Sequence, residues 1–172
     1  PGAFDRTPNG DFDAFVIRLS ASGAALDYAT FLGGNASDGA YGIAVDAVGH
    51  AYVVGDTQSA NFPTTSGGFD TSFNGQHDGF VVRLNAIGTV LDFSTFVGGS
   101  NLDYARSIKF DDFARVYVGG PTYSSDFPTT PMAYDTTFNG GSFDAYLLRL
   151  NAAGSALDYS TYLGGSDLDG VG

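Results

Sequence analysis

Asp78-Gly-Phe-Val-Val-Arg-Leu-Asn-Ala-Ile-Gly88 decides the fold, because the chain carries it three times. Asp13-Ala-Phe-Val-Ile-Arg-Leu-Ser-Ala-Ser-Gly23 precedes it and Asp144-Ala-Tyr-Leu-Leu-Arg-Leu-Asn-Ala-Ala-Gly154 follows, at spacings of 65 and then 66 residues. Each copy runs on into Leu26-Asp-Tyr-Ala-Thr-Phe-Leu-Gly-Gly34, Leu91-Asp-Phe-Ser-Thr-Phe-Val-Gly-Gly99 or Leu157-Asp-Tyr-Ser-Thr-Tyr-Leu-Gly-Gly165. A period this regular predicts one supersecondary unit stacked on copies of itself. Recurring residues are then explained first by structure, and function is sought where the copies differ.

Within Asp13 to Leu19 the side chains alternate between two largely apolar faces, as in a strand covered on both sides. A turn at Ser22-Gly23 returns the chain as a second strand, Leu26 to Leu32. Tyr41-Gly-Ile-Ala-Val-Asp46 and His50-Ala-Tyr-Val-Val-Gly55 form a further hairpin, in which Gly49 suits a left-handed turn position. The stretch from Asn61-Phe-Pro-Thr-Thr65 through Phe73-Asn-Gly75 to Gln76 reads as a long loop. Each repeat thus supplies four antiparallel strands, the blade of a β-propeller. The chain reads as an outer strand pair (1–34) and two blades (35–99 and 100–172), about two and a half repeats of an all-β, propeller-like fold.

Composition supports this. All 19 acidic residues are Asp, there is no Glu and only one Lys, and 25 residues are Gly. That mixture favours turns and short strands over helices. A net charge of −12 disfavours nucleic acid and anionic membrane surfaces as partners. No apolar run approaches the length of a membrane span, so membrane insertion is not expected. The absence of Cys removes disulfides and thiolate chemistry. The Asp, Gly, Ser and Thr richness leans towards an extracellular or cell-surface setting. Closed propellers need about four to eight blades, and the chain starts inside a long loop. It is therefore expected to be a processed product or a fragment that meets further blades of a longer chain or further copies of itself.

Tyr41-Gly-Ile-Ala-Val-Asp46, the Asn/Asp-Phe-Pro-Thr-Thr stretches at 61–65 and 126–130, Phe-Asn-Gly at 73–75 and 138–140, and the Thr-Phe/Tyr-Leu/Val-Gly-Gly endings resemble the bacterial β-propeller repeat called SBBP. The resemblance implies blades of a seven-bladed propeller in a large secreted or surface protein, and it brings no catalytic residues. The chain departs from the family's pattern at Ala114, where a hairpin Gly is expected, and at Gly119-Gly120-Pro121, which replaces Val54-Gly55-Asp56.

Arg18 and Asp27 flank a hairpin turn, as do Arg83 and Asp92, and Arg149 and Asp158. The recurrence predicts structural cross-strand ion pairs rather than anion sites. Asp38, Asp103 and Asp169 follow the Gly-Gly steps among other oxygen-bearing residues. They are candidate calcium ligands, although the chain lacks the bidentate Glu of a calcium loop, and isolated Asp residues also cap turns. No other cofactor is expected. Asn9-Gly-Asp-Phe-Asp13 is a second oxygen-rich stretch, not repeated intact. His50 and His77, the only histidines, read as turn residues, since no nucleophile elbow or metal spacing accompanies them. Asn35-Ala-Ser37 is a glycosylation sequon.

Arg106, Lys109 and Arg115 stand in one hairpin, where the preceding copy has Tyr41, Ala44 and His50. They either form an assembly contact with an acidic neighbour or pair locally with Asp111 and Asp112. Two functions follow. The first is a non-enzymatic structural or interaction module whose open blade edges serve assembly, for instance as a fibre or sheath subunit. The alternative is a glycan-binding or hydrolytic propeller with its site in the long loops, where Tyr123, Tyr134 and Phe143 would stack on sugars and calcium would assist.

Overall fold

The structure, a computed structural model, describes residues 2–167. The described residues contain ten strands and no helix: β1 (Ala14–Leu19), β2 (Leu26–Leu32), β3 (Asp38–Val45), β4 (Ala51–Thr57), β5 (Asp78–Leu84), β6 (Leu91–Val97), β7 (Ser107–Phe110), β8 (Val116–Thr122), β9 (Asp144–Leu150) and β10 (Leu157–Leu163). They form a two-stranded sheet, β1-β2, and two four-stranded sheets, β3-β4-β5-β6 and β7-β8-β9-β10. Every pairing between named strands is antiparallel. These are a partial blade and two full ones.

Period-2 alternation stacks the sheets. One face of β5 turns Phe80, Val82 and Leu84 towards the partial blade, where they meet Val16, Tyr28 and Leu32. Val81 on the other face joins Tyr52, Ile108, Tyr146 and Leu148 at the seam between the two full blades. A sheet packed on both faces needs apolar residues at successive positions, which is why β4 and β5 lack a polar side.

The long loops are part of this core. Phe62 of Asn61-Phe-Pro-Thr-Thr65 is buried and stacks on Phe80 with ring centroids 4.5 Å apart, and Phe127 meets Tyr146 at 4.3 Å. The Thr65 and Thr130 amides then donate to the carbonyls of Ser94 and Ser160. The loop therefore returns alongside the outer strand as a strap.

The departure at Ala114 leaves a mark on the second full blade. Gly49 turns its hairpin at φ 95°, and Ala114 takes the equivalent place at φ 58°, a left-handed conformation that costs a residue with a Cβ. Strand β7 is only four residues long. No helix among the described residues is long and apolar enough to cross a membrane.

Candidate functional site

The repeated arginines sit where strand pairing shifts register. Arg18 lies opposite Tyr28 and Leu19 opposite Leu26, so Asp27 is the extra residue of a bulge and turns back along the hairpin. Arg18 Nε is 3.3 Å from Asp27 Oδ2, and the distance is also 3.3 Å for Arg83 with Asp92 and Arg149 with Asp158. The middle pair has company. His50 Nδ1 is 2.7 Å from Asp46 Oδ2, its Nε2 is 3.7 Å from Asp92 Oδ2, and Arg83 Nη2 lies 3.3 Å from Nδ1. His50 thus belongs to a structural network.

Asp38 and Asp103 are hydrogen-bond knots. Asp103 accepts the Gly99 amide at 2.7 Å and the hydroxyls of Ser124, at 2.7 Å, and Thr122. Asp38 accepts Gly34, Ser59 and Thr57 in the same way. These donors take up most of the acceptor capacity of each carboxylate, and no group of three or more His, Cys, Asp or Glu side chains that could hold a metal ion occurs among the described residues. Both carboxylates thereby close the Gly-Gly step onto the end of the returning strand, β4 or β8. Asp169 lies outside the described residues.

Asn9-Gly-Asp-Phe-Asp13 does recur once its geometry is seen. The amides of Asn9, Asn74 and Asn139 donate to Asp13, Asp78 and Asp144, while their side-chain amides donate to Asp5, Asp70 and Asp135. Each long loop is latched by an Asp–Asn–Asp relay. Gly98 separates the Asp78 and Asp103 carboxylates: a Cβ there would stand 2.9 Å from Asp78 Oδ1 and 3.1 Å from Asp103 Oδ2. Gly33 stands likewise between Asp13 and Asp38. Burial raises the pKa of Asp38 and Asp103 and pushes Asp78 up to about 6, with Asp103 adding to the last.

The basic hairpin does not act as a unit. Arg115 pairs with Asp111 within its own turn at 2.6 Å. Lys109 faces away from the first full blade, beside Tyr117 and Leu163. Arg106 goes the other way, its guanidinium 3.9 Å from the Tyr41 ring centroid and 4.9 Å from that of Tyr104. Strand alternation divides Arg106 from Lys109, which corrects the expectation of one joint contact.

Arg106 instead belongs to a cleft of about 400 Å3 at the seam of the two full blades, lined also by Tyr41, Asp56, Gln58, His77 and Tyr104. His77 Nδ1 is 2.7 Å from Asp56 Oδ2. Asp56 is 5% exposed, and its carboxylate also faces the Tyr41 hydroxyl. Burial and then the Asp56 carboxylate push the Tyr41 hydroxyl up to about 12. Rings continue from His77 to Tyr104 (5.5 Å), Tyr123 (6.3 Å) and Phe143 (5.2 Å). Tyr123 and Phe143 therefore come together, whereas Tyr134 stands apart, 84% exposed. Asp56 and Tyr104 carried no signal in the sequence, since their neighbours come from different copies. The sequon residue Asn35 is exposed, its amide donating to Asn61 Oδ1.

Antiparallel four-stranded sheets stacked face to face, with each turn of the repeat adding one, define a protein built of β-propeller repeats. The SBBP family model, described as a beta-propeller repeat, matches residues 27–63, from β2 through β4 into the strap. No curated protein matches the chain.

Proposed function

We propose that this chain is a non-enzymatic interaction module of a secreted or cell-surface protein, and that its open N-terminal side takes up a further inner β-hairpin of the same repeat. One observation carries the reading. Ile43 is 57% exposed, whereas its repeat equivalent Ile108 is 5% exposed. Ile108 is covered because it packs on the inner strands of the blade before it, against Gly42. The place before Ile43 and Val45 holds no such strands. In keeping with this, β1 pairs with β2 alone, while its equivalent β5 pairs on both sides. An unpaired edge beside exposed apolar residues favours strand addition.

The chemistry of the incoming hairpin follows from residues 38–57. In the register of β4 on β5, where Thr57 faces Asp78 and Ala51 faces Leu84, its outer strand would run from Asp13 to Leu19. Repeated polar groups that serve as ion pairs, knots and latches support a scaffold rather than a catalyst, and the Asp, Gly, Ser and Thr richness leans towards an extracellular setting.

Residue 1 is the repeat equivalent of residue 66, so a copy of residues 35–65 joined before Pro1 supplies the hairpin in register. Covering Ile43 and Val45 contributes about 2–3 kcal/mol, which raises the melting temperature by about 5–10 °C. An unchanged melting temperature, with the added segment unfolded by circular dichroism, refutes the proposal.

A further inference from the structure

Among the positions at which the copies differ, five equivalent pairs come together in space: Gly39 and Tyr104, Tyr41 and Arg106, Asp56 and Pro121, Gln58 and Tyr123, His77 and Phe143. All five lie near one end of the blades, and the fold gathers members of every pair at a single seam. The structural roles that explain the recurring residues do not explain these.

From this gathering we infer that the seam binds a glycan containing uronic acid, with the carboxylate on Arg106 and a sugar face on the Tyr104–Tyr123 row. Arg106 has no carboxylate partner among the described residues, in a chain with 19 Asp. Its guanidinium rests against two tyrosine rings, so its edge donors remain for a bidentate carboxylate. Tyr104, Tyr123 and Phe143 are all half-buried and succeed one another edge-on or tilted, so a single ring, rather than a shared flat surface, would carry the apolar face of each pyranose. His77 gives Nδ1 to Asp56 and keeps Nε2 for a sugar hydroxyl, and Gln58 adds an amide.

The charge balance selects a carboxylate on a sugar over a nucleic acid. The chain's −12 repels a densely charged phosphate backbone. Remote charges are screened beyond about 8 Å at physiological salt, and the Asp38 and Asp56 carboxylates that also line the cleft are buried and tied to Thr57 and Ser59 and to His77, so a single isolated carboxylate on the glycan responds chiefly to the exposed Arg106.

The test is calorimetric titration of the chain with a tetramer of three xyloses and one glucuronic acid and with the neutral xylose tetramer, together with amide shift mapping on labelled protein. The acidic tetramer is expected to bind more tightly, moving the amides of His77, Tyr104, Arg106 and Tyr123. Arg106→Met should weaken the acidic ligand about tenfold while leaving the neutral one unchanged, the loss expected for one charge-assisted contact. Tyr123→Ala should weaken both. Absence of saturable binding at millimolar ligand, shifts that map elsewhere, or equal affinity for the two tetramers overturns the proposal. Shift mapping on the unsubstituted chain decides the matter even if a variant fails to fold.

Discussion

Replacing Asp78 by Asn should make stability markedly less dependent on pH. The Asp78 carboxylate is buried, accepts the amides of Asn74 at 2.8 Å and Gly75 at 3.0 Å, and faces Asp103 across Gly98. Burial pushes its pKa up from 3.8 to about 6; the two amides oppose the rise and Asp103 reinforces it. The folded state therefore holds a proton that the unfolded chain releases between these values. The resulting stability is fully present below pH 3.8 and is lost as pH rises through about 6. At about 1.4 kcal/mol per pH unit, the chain loses about 2–2.5 kcal/mol through this residue between pH 4 and 7, or about 5–10 °C in melting temperature. Asp38 and Asp103, raised by burial too, act in the same direction. An Asn at 78 stays neutral throughout. Its own cost, an amide turned towards a backbone N–H, does not vary with pH and cancels in the comparison. Scanning calorimetry at constant ionic strength should show the variant gaining about 5–10 °C on the parent between pH 4 and 7. A constant difference, or one that grows towards acid, refutes the buried-carboxylate reasoning.

Gly98→Ala should destabilise by about 1–3 kcal/mol in denaturant titration, since its Cβ would press on two carboxylates. Ala114→Gly should stabilise by about 0.5–1 kcal/mol in the same assay, because release of left-handed strain exceeds the added entropy of the unfolded chain. Arg83→Met should cost about 1–2 kcal/mol and Arg18→Met under about 1, since the Arg83 side chain is 22% exposed within the His50 network and that of Arg18 is 46% exposed. Equal losses would show that His50 and burial add nothing to the middle pair.

The strands were legible because each copy alternates the same side chains between two apolar faces, and the third copy leaves no choice of register. The Arg18–Asp27 pairing was legible from its position about the turn, although the bulge that turns Asp27 was not. Asp38 and Asp103 looked like cation ligands because oxygen-bearing residues surround them in sequence. The hydroxyls that occupy them come from Thr57, Ser59, Thr122 and Ser124, at and just past the end of the returning strand about 20 residues on. The loop relay was hidden because half of its donors are backbone amides. Arg106, Lys109 and Arg115 invited grouping by proximity, and alternation along the strand separates the first two. The seam was beyond reach, since Asp56 and His77 lie 21 residues apart and their neighbours Tyr104 and Tyr123 belong to the next copy.

Hydrogen exchange along β1 tests the open-edge reading most directly, because that strand pairs with β2 alone while its counterpart β5 pairs on both sides. Peptides spanning 14–19 should exchange much faster than those spanning 78–84 in the chain alone, and should become as protected once a copy of residues 35–65 precedes Pro1. Equal slow exchange of the two strands in the unextended chain, or exchange at 14–19 that the added hairpin leaves unchanged, would contradict the account.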